Sequence, residues 1–142
     1  MRRFAYFFSE TFFQKMCAGD AAEKLRVLIA DDEKVIADTL KLILSQAGYD
    51  VAVAYDGAAA VEKAEEWRPD LFLSDVFMPR LSGIDAAIEI CRTLPDCKVL
   101  LVSGQAELRD LRREIKAKCR NFDVLSKPVH PKDLLARLIA LI

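Results

Sequence analysis

Four apolar runs punctuate this chain, and each stops abruptly at polar residues. Arg26 to Ala30 stops at Asp31-Asp32, Leu71 to Ser74 at Asp75, Val99 to Val102 at Ser103-Gly104, and Phe122 to Leu125 at Ser126-Lys127-Pro128. Short, nearly continuous hydrophobic runs bounded by turn residues read as parallel strands buried on both faces. Their predicted bounds are 25–30, 71–75, 97–102 and 122–125, and the alternating stretch Tyr49 to Ala54 adds a fifth strand. Helical spacing fills the gaps. Val35, Ile36, Leu40, Ile43, Leu44 and Ala47 predict a helix over 34–47, which stops at Gly48. The acids Asp31-Asp32-Glu33 just before it suit a helix N-terminus. Asp56 is a plausible cap for an alanine-rich helix running through Glu66. A third helix, 84–93, carries Ile84, Ala87, Ile88 and Cys91 on one face, and a fourth, 106–118, carries Leu108, Leu111 and Ile115. The last starts near Pro131 and runs through Leu134, Leu135, Leu138 and Leu141.

Five strands alternating with five helices predict a parallel sheet with right-handed crossovers and helices on both faces. Parallel strands put all the polar tips on one edge, where open α/β sheets place their ligands. That edge then carries three carboxylates (Asp31, Asp32, Asp75), a hydroxyl (Ser103) and an ammonium (Lys127).

Composition narrows the picture. At 142 residues, 53% hydrophobic and 30% charged, the chain suits one domain with its own core. A formal net charge of −1 gives no electrostatic footprint for nucleic acid. No uninterrupted run reaches the about 18 apolar residues of a membrane span. Cys17, Cys91, Cys97 and Cys119 lack CxxC spacing, and His130 is the lone histidine, so a zinc site or disulfide framework is disfavoured. Reduced thiols and a cytoplasmic protein are expected. Residues 1–24 form an aromatic-rich extension in which Phe4, Phe8 and Phe12 recur at helical spacing. Three readings stay open for it: a helix docked on the domain or on a second copy, a sticky tail, or a start actually at Met16.

Clustered carboxylates repel one another and need a cation, and hard oxygen ligands at a hydrated edge suit Mg2+. A metal, an ammonium and a hydroxyl around a nucleophilic carboxylate are the equipment for phosphoryl transfer through an aspartyl-phosphate.

On these residues, with Met78-Pro79 and Gly83 following Asp75 and Pro128 following Lys127, residues 25–142 resemble the receiver domains of two-component response regulators. Each fragment alone is common; four in order, each at a strand end, are specific. The resemblance implies a flavodoxin-like doubly wound α/β fold, strand order 2-1-3-4-5, five helices, and a single-domain response regulator in a phosphorelay. It implies that Asp75 accepts a phosphoryl group from a histidine kinase or phosphotransfer protein, assisting its own phosphorylation and dephosphorylation rather than acting as an enzyme on other substrates. Asp32, Asp75 and the backbone carbonyl of Phe77 would ligate Mg2+, with Asp31 acting largely through a metal-bound water. Ser103 and Lys127 would contact phosphoryl oxygens, and the Lys127–Pro128 bond would be cis. The surface of helix four, strand five and helix five would meet an effector protein, since no output domain follows in the chain.

Two residues depart from the family pattern. Val124 stands three before the lysine, where an aromatic switch residue is frequent, and Phe77 stands two after the acceptor, where polar residues are frequent. A bulky apolar group there is expected to limit water approach and lengthen the phosphoryl lifetime. Plainer roles exist for each residue: Asp31 or Asp32 as a helix cap, Asp75 as a turn residue, Lys127 as a solvated lysine, His130 as a structural or exposed side chain. Their joint occurrence favours the site. The rivals are a non-switching adaptor or homodimerisation module and, less favoured, a Mg2+-dependent phosphohydrolase; the latter lacks a second acid two residues after Asp75.

Overall fold

The computed structural model describes residues 24–118 and 122–142. The aromatic extension, except Lys24, lies outside the described residues together with Cys17 and Cys119, and so do the three readings of its role. In chain order the elements are β1 (Arg26–Ala30), α1 (Lys34–Gln46), β2 (Asp50–Ala54), α2 (Gly57–Trp67), β3 (Leu71–Asp75), α3 (Gly83–Thr93), β4 (Lys98–Ser103), α4 (Leu108–Ala117), β5 (Asp123–Ser126) and α5 (Pro131–Leu141). All strand pairings are parallel, in the order β2-β1-β3-β4-β5. This is the expected doubly wound sheet.

Period-two alternation along the strands divides the core. Leu28, Phe72 and Leu101 face Ile84, Ile90, Leu111 and Ile115 on one side of the sheet. Val27, Ile29, Leu71, Leu73 and Leu100 face Ala37, Leu44, Leu134 and Leu138 on the other. β3 is buried at every position, so the acid at its end is delivered from the best-packed strand.

Register decides which residues share the upper edge. Ala30 pairs with both Ala54 and Ser74, Asp75 with Val102, and Ser103 with Ser126. Asp31, Asp75, Ser103 and Lys127 therefore emerge at nearly one level. The hydroxyl residues Ser103 and Ser126 stay in the ladder, which carries β4 and β5 one residue beyond their apolar runs.

The helix termini follow local chemistry. Asp56 accepts from the Ala59 amide at 2.8 Å, Ser82 from Asp85 at 3.2 Å, and His130 Nδ1 from Lys132 at 3.1 Å. His130 is thus an N-cap. Helix α1 differs from expectation: its first turn holds no acid and its N-cap, Glu33, makes no side-chain cap bond. The Asp31 carboxylate takes the Glu33 amide instead, at 2.9 Å. A 3-10 turn over Gln105–Glu107 precedes α4, where one continuous helix is expected.

Candidate functional site

The upper edge gathers the acids as register requires. One carboxylate oxygen from each of Asp31, Asp32 and Asp75 lies within 4.8 Å of the others. Asp31 is 3% exposed and Asp75 9%, whereas Asp32 is open to solvent. At such a separation, two like charges repel by roughly 3 kcal/mol at an effective dielectric of ~20. The Lys127 ammonium answers part of this charge, with Nζ 3.3 Å from Asp75 Oδ2. Burial holds the Asp31 carboxyl above its ordinary range; the Glu33 amide opposes this, Asp75 adds to it and Lys127 relieves it. Three acids against one ammonium leave the pocket short of positive charge.

The remaining predicted residues take separate places. Ser103 is buried at the end of β4, its hydroxyl donating to the Gly104 carbonyl at 3.5 Å. Its own carbonyl accepts from the Lys127 amide at 2.8 Å, which ties the serine and the lysine together through the backbone. The Lys127–Pro128 bond is cis, as expected. Phe77 follows Asp75 in the β3–α3 loop, and its side chain is 60% exposed. Val124 and Phe122 both pack, half-buried, against the α2–α3–α4 core.

Two features escape a reading of the sequence. Ser74, buried in β3, donates to the Asp75 carbonyl at 2.7 Å and stiffens the backbone at the acid. A lone serine in an apolar run carries no signal for that. Arg80 makes two 2.9 Å hydrogen bonds to the Asp56 carboxylate across 24 positions of sequence. No local pattern announces such a pair.

Comparison with known proteins completes the description. The profile of the response regulator receiver domain matches residues 27–139. The chain belongs to the response regulator receiver domain family. It is 39% identical over 114 residues to the chemotaxis protein CheY of Thermotoga maritima, covering 80% of this chain and 93% of that protein. It is 36% identical to the alkaline phosphatase synthesis transcriptional regulatory protein PhoP of Bacillus subtilis, covering 82% of this chain but only 48% of that protein. Among solved structures, Vibrio cholerae CheY4 superposes with a TM-score of 0.77 at 29% identity, covering 84% of this chain and all of that one. A CheY-like receiver domain protein from Methanospirillum hungatei gives 0.74 at 30% identity, covering 82% and 91% of the two chains. This receiver domain is therefore part of two-component signal transduction, and its clustered aspartates form an acidic pocket of the kind in which receiver domains bind Mg2+. No helix among the described residues is long and apolar enough to cross a membrane.

Proposed function

We propose that Asp75 is the phosphoacceptor of this receiver domain. The observation that carries the reading is one carboxylate closing the central buried strand, beside two further acids and 3.3 Å from an ammonium. Asp32, Asp75 and the backbone carbonyl of Phe77 would hold Mg2+, with Asp31 acting largely through a bound water, and the ion would supply positive charge to the phosphoryl oxygens. An Asp75 oxygen attacks phosphorus, the bond from phosphorus to the donor's imidazole nitrogen breaks, and that nitrogen keeps the electron pair. Lys127 and Ser103 steady the charge on the transferring group. Ser74 keeps the Asp75 backbone in place.

The donor is a histidine kinase or phosphotransfer protein, and the domain assists its own phosphorylation and dephosphorylation without turning over another substrate. Output passes to a partner protein through α4, β5 and α5. Arg137 of α5 bonds to the Val124 carbonyl at 3.3 Å and to Asp123 at 3.1 Å, so β5 and α5 are joined as one surface. Phosphorylation shifts that surface only by its differential contacts with Ser103, Lys127 and the metal. We read the setting as cytoplasmic. Val124 in place of an aromatic favours one other reading, a non-switching adaptor or homodimerisation module. The test is intact mass after incubation with acetyl phosphate and Mg2+. A gain of one phosphoryl group, blocked by EDTA, is expected. No gain from acetyl phosphate or from phosphorylated histidine kinases would overturn the reading in favour of the adaptor.

A further inference from the structure

The β3–α3 loop combines a backbone conformation unusual for its residue with an ion pair that accounts for it. Arg80 has φ of 69°, in the left-handed region where a Cβ crowds the neighbouring carbonyl. A non-glycine residue stays there only when its surroundings over-determine it. Here a single guanidinium nitrogen, Arg80 Nη2, donates to both Asp56 oxygens at 2.9 Å. Asp56 is itself tied to α2, which it caps through the Ala59 amide at 2.8 Å. The loop's two flanks are pinned backbone to backbone. A Cβ on Gly57, the first residue of α2, would stand 2.0 Å from the Leu81 carbonyl oxygen, and one on Gly83 would stand 2.3 Å from the Asp75 carbonyl oxygen. The Gly83 amide also donates to the Val76 carbonyl at 2.8 Å.

We propose that the Arg80–Asp56 pair is a clamp that positions the β3–α3 loop, and with it the Phe77 carbonyl, for the divalent cation held by Asp31, Asp32 and Asp75. This inference rests on the metal site assigned under the proposed function. Arg80 is a positioning residue: a guanidinium cannot ligate a cation, and its direct electrostatic effect on one is repulsive. An exposed ion pair adds little to stability, but this one ties the loop to a carboxylate that is itself bonded to the start of α2, and so fixes where the loop lies. The clamp therefore acts on metal affinity more than on folding.

The sign of the effect separates a clamp from simple electrostatics. Removing the positive charge of Arg80 by electrostatics alone would tighten Mg2+ binding, and removing the negative charge of Asp56 would loosen it. A broken clamp loosens it in both. The experiment titrates Mg2+ into 15N-labelled wild type, Arg80→Gly, Asp56→Asn and the double variant, following the Phe77 and Met78 amides and recording each Tm. Asparagine keeps the α2 cap, and glycine accepts the positive φ. We expect about threefold weaker Mg2+ binding in each single variant and no further loss in the double. Tm should stay within about 4 °C of wild type for Arg80→Gly. Arg80→Lys, which keeps the charge on a shorter, more flexible stem, should fall between wild type and glycine, and it carries the test with Arg80→Gly where Asp56→Asn fails to fold. Unchanged or tighter binding in Arg80→Gly, or independent losses that multiply in the double variant, would overturn the clamp while leaving the metal site intact. A wild type whose Phe77 and Met78 amides ignore Mg2+ would overturn the metal site and the clamp together.

Discussion

The two ends of the sheet carry the same kinds of charged residue in opposite balance. At the lower end, a crevice of about 490 Å³ is lined by three cations, Lys24, Arg26 and Arg68, and three acids, Asp50, Asp70 and Asp96. Its charges balance in number. The Arg26 amide donates to the Asp70 carboxylate at 2.9 Å, and the Arg26 guanidinium lies 5.5 Å from the centre of the Trp67 ring while bonding to that residue's carbonyl. At the upper end three acids share one ammonium, and two of those acids are buried. The lower crevice has room; the upper edge has an imbalance of charge that the fold does not resolve. Uncompensated buried charge is costly, and here it is what marks the functional end of the molecule.

The largest expected effect comes from the lone ammonium. Lys127→Met should slow phosphoryl uptake from acetyl phosphate by about 100-fold, the scale of losing one preorganised charge-stabilising donor, as read by timed intact-mass measurement. Uptake at the wild-type rate would mean that the upper edge does not use its lysine for the reaction.

Next comes metal linkage, which should distinguish the ends directly. At a Mg2+ concentration 100 times its Kd, wild type should gain about 2.7 kcal/mol in denaturant unfolding. Asp70→Asn at the lower end should keep that gain, and Asp31→Asn should lose most of it. In metal-free buffer at neutral pH the order reverses. Asp31→Asn removes a buried, crowded carboxylate and should stabilise, whereas Asp70→Asn weakens a charged acceptor and should cost about 1 kcal/mol. Equal responses from the two variants would erase the distinction between the ends.

Smaller effects sharpen the edges of the comparison. Phe77→Asn should speed loss of the phosphoryl group a few-fold in a dephosphorylation time course, since a polar side chain two residues after the acceptor can guide water. No acceleration would leave Phe77 without a protective role. The smallest effect belongs to a matched pair elsewhere. Lys118 bridges α4 to Asp85 of α3 at 2.8 Å, and this contact holds the Asp85 carboxyl below its ordinary range. A depressed folded-state pKa gives stability that is present above the unfolded value and lost as pH falls through the folded one. Asp85→Asn should therefore cost about 0.5 kcal/mol at pH 7 and nothing once the pH falls below the folded-state value. A cost that persists in acid would point to packing instead.

The sequence-to-structure correspondence follows the range of each interaction. Apolar runs with abrupt polar ends located the tips of β1, β3, β4 and β5, because a central strand of a parallel sheet is buried on both faces and turns polar at its end, while β2 was read from alternation. Asp31, Asp32, Asp75, Ser103 and Lys127 were legible for that reason, and the strand order followed from the family resemblance. The 3-10 turn before α4 was not legible, since Gln105–Glu107 fits a helical pattern equally well. Neither was the Asp31 bond to the Glu33 amide, which withdraws from the helix terminus an acid that suits it. The Arg80–Asp56 pair lay furthest out of reach. It depends on α2 and the β3–α3 loop meeting in space, and neither residue advertises the other.

Asp75, among the clustered acids, is the residue we propose to carry the phosphoryl group. The most direct test is borohydride reduction of the acetyl-phosphate-treated protein followed by peptide mass mapping, with Asp75→Asn in parallel. An aspartyl-phosphate is reduced at its carbonyl with loss of phosphate, so homoserine is expected at position 75 in wild type and at no acid in the variant. Reduction at Asp31 or Asp32, or an undiminished phosphoryl gain in Asp75→Asn, would contradict it.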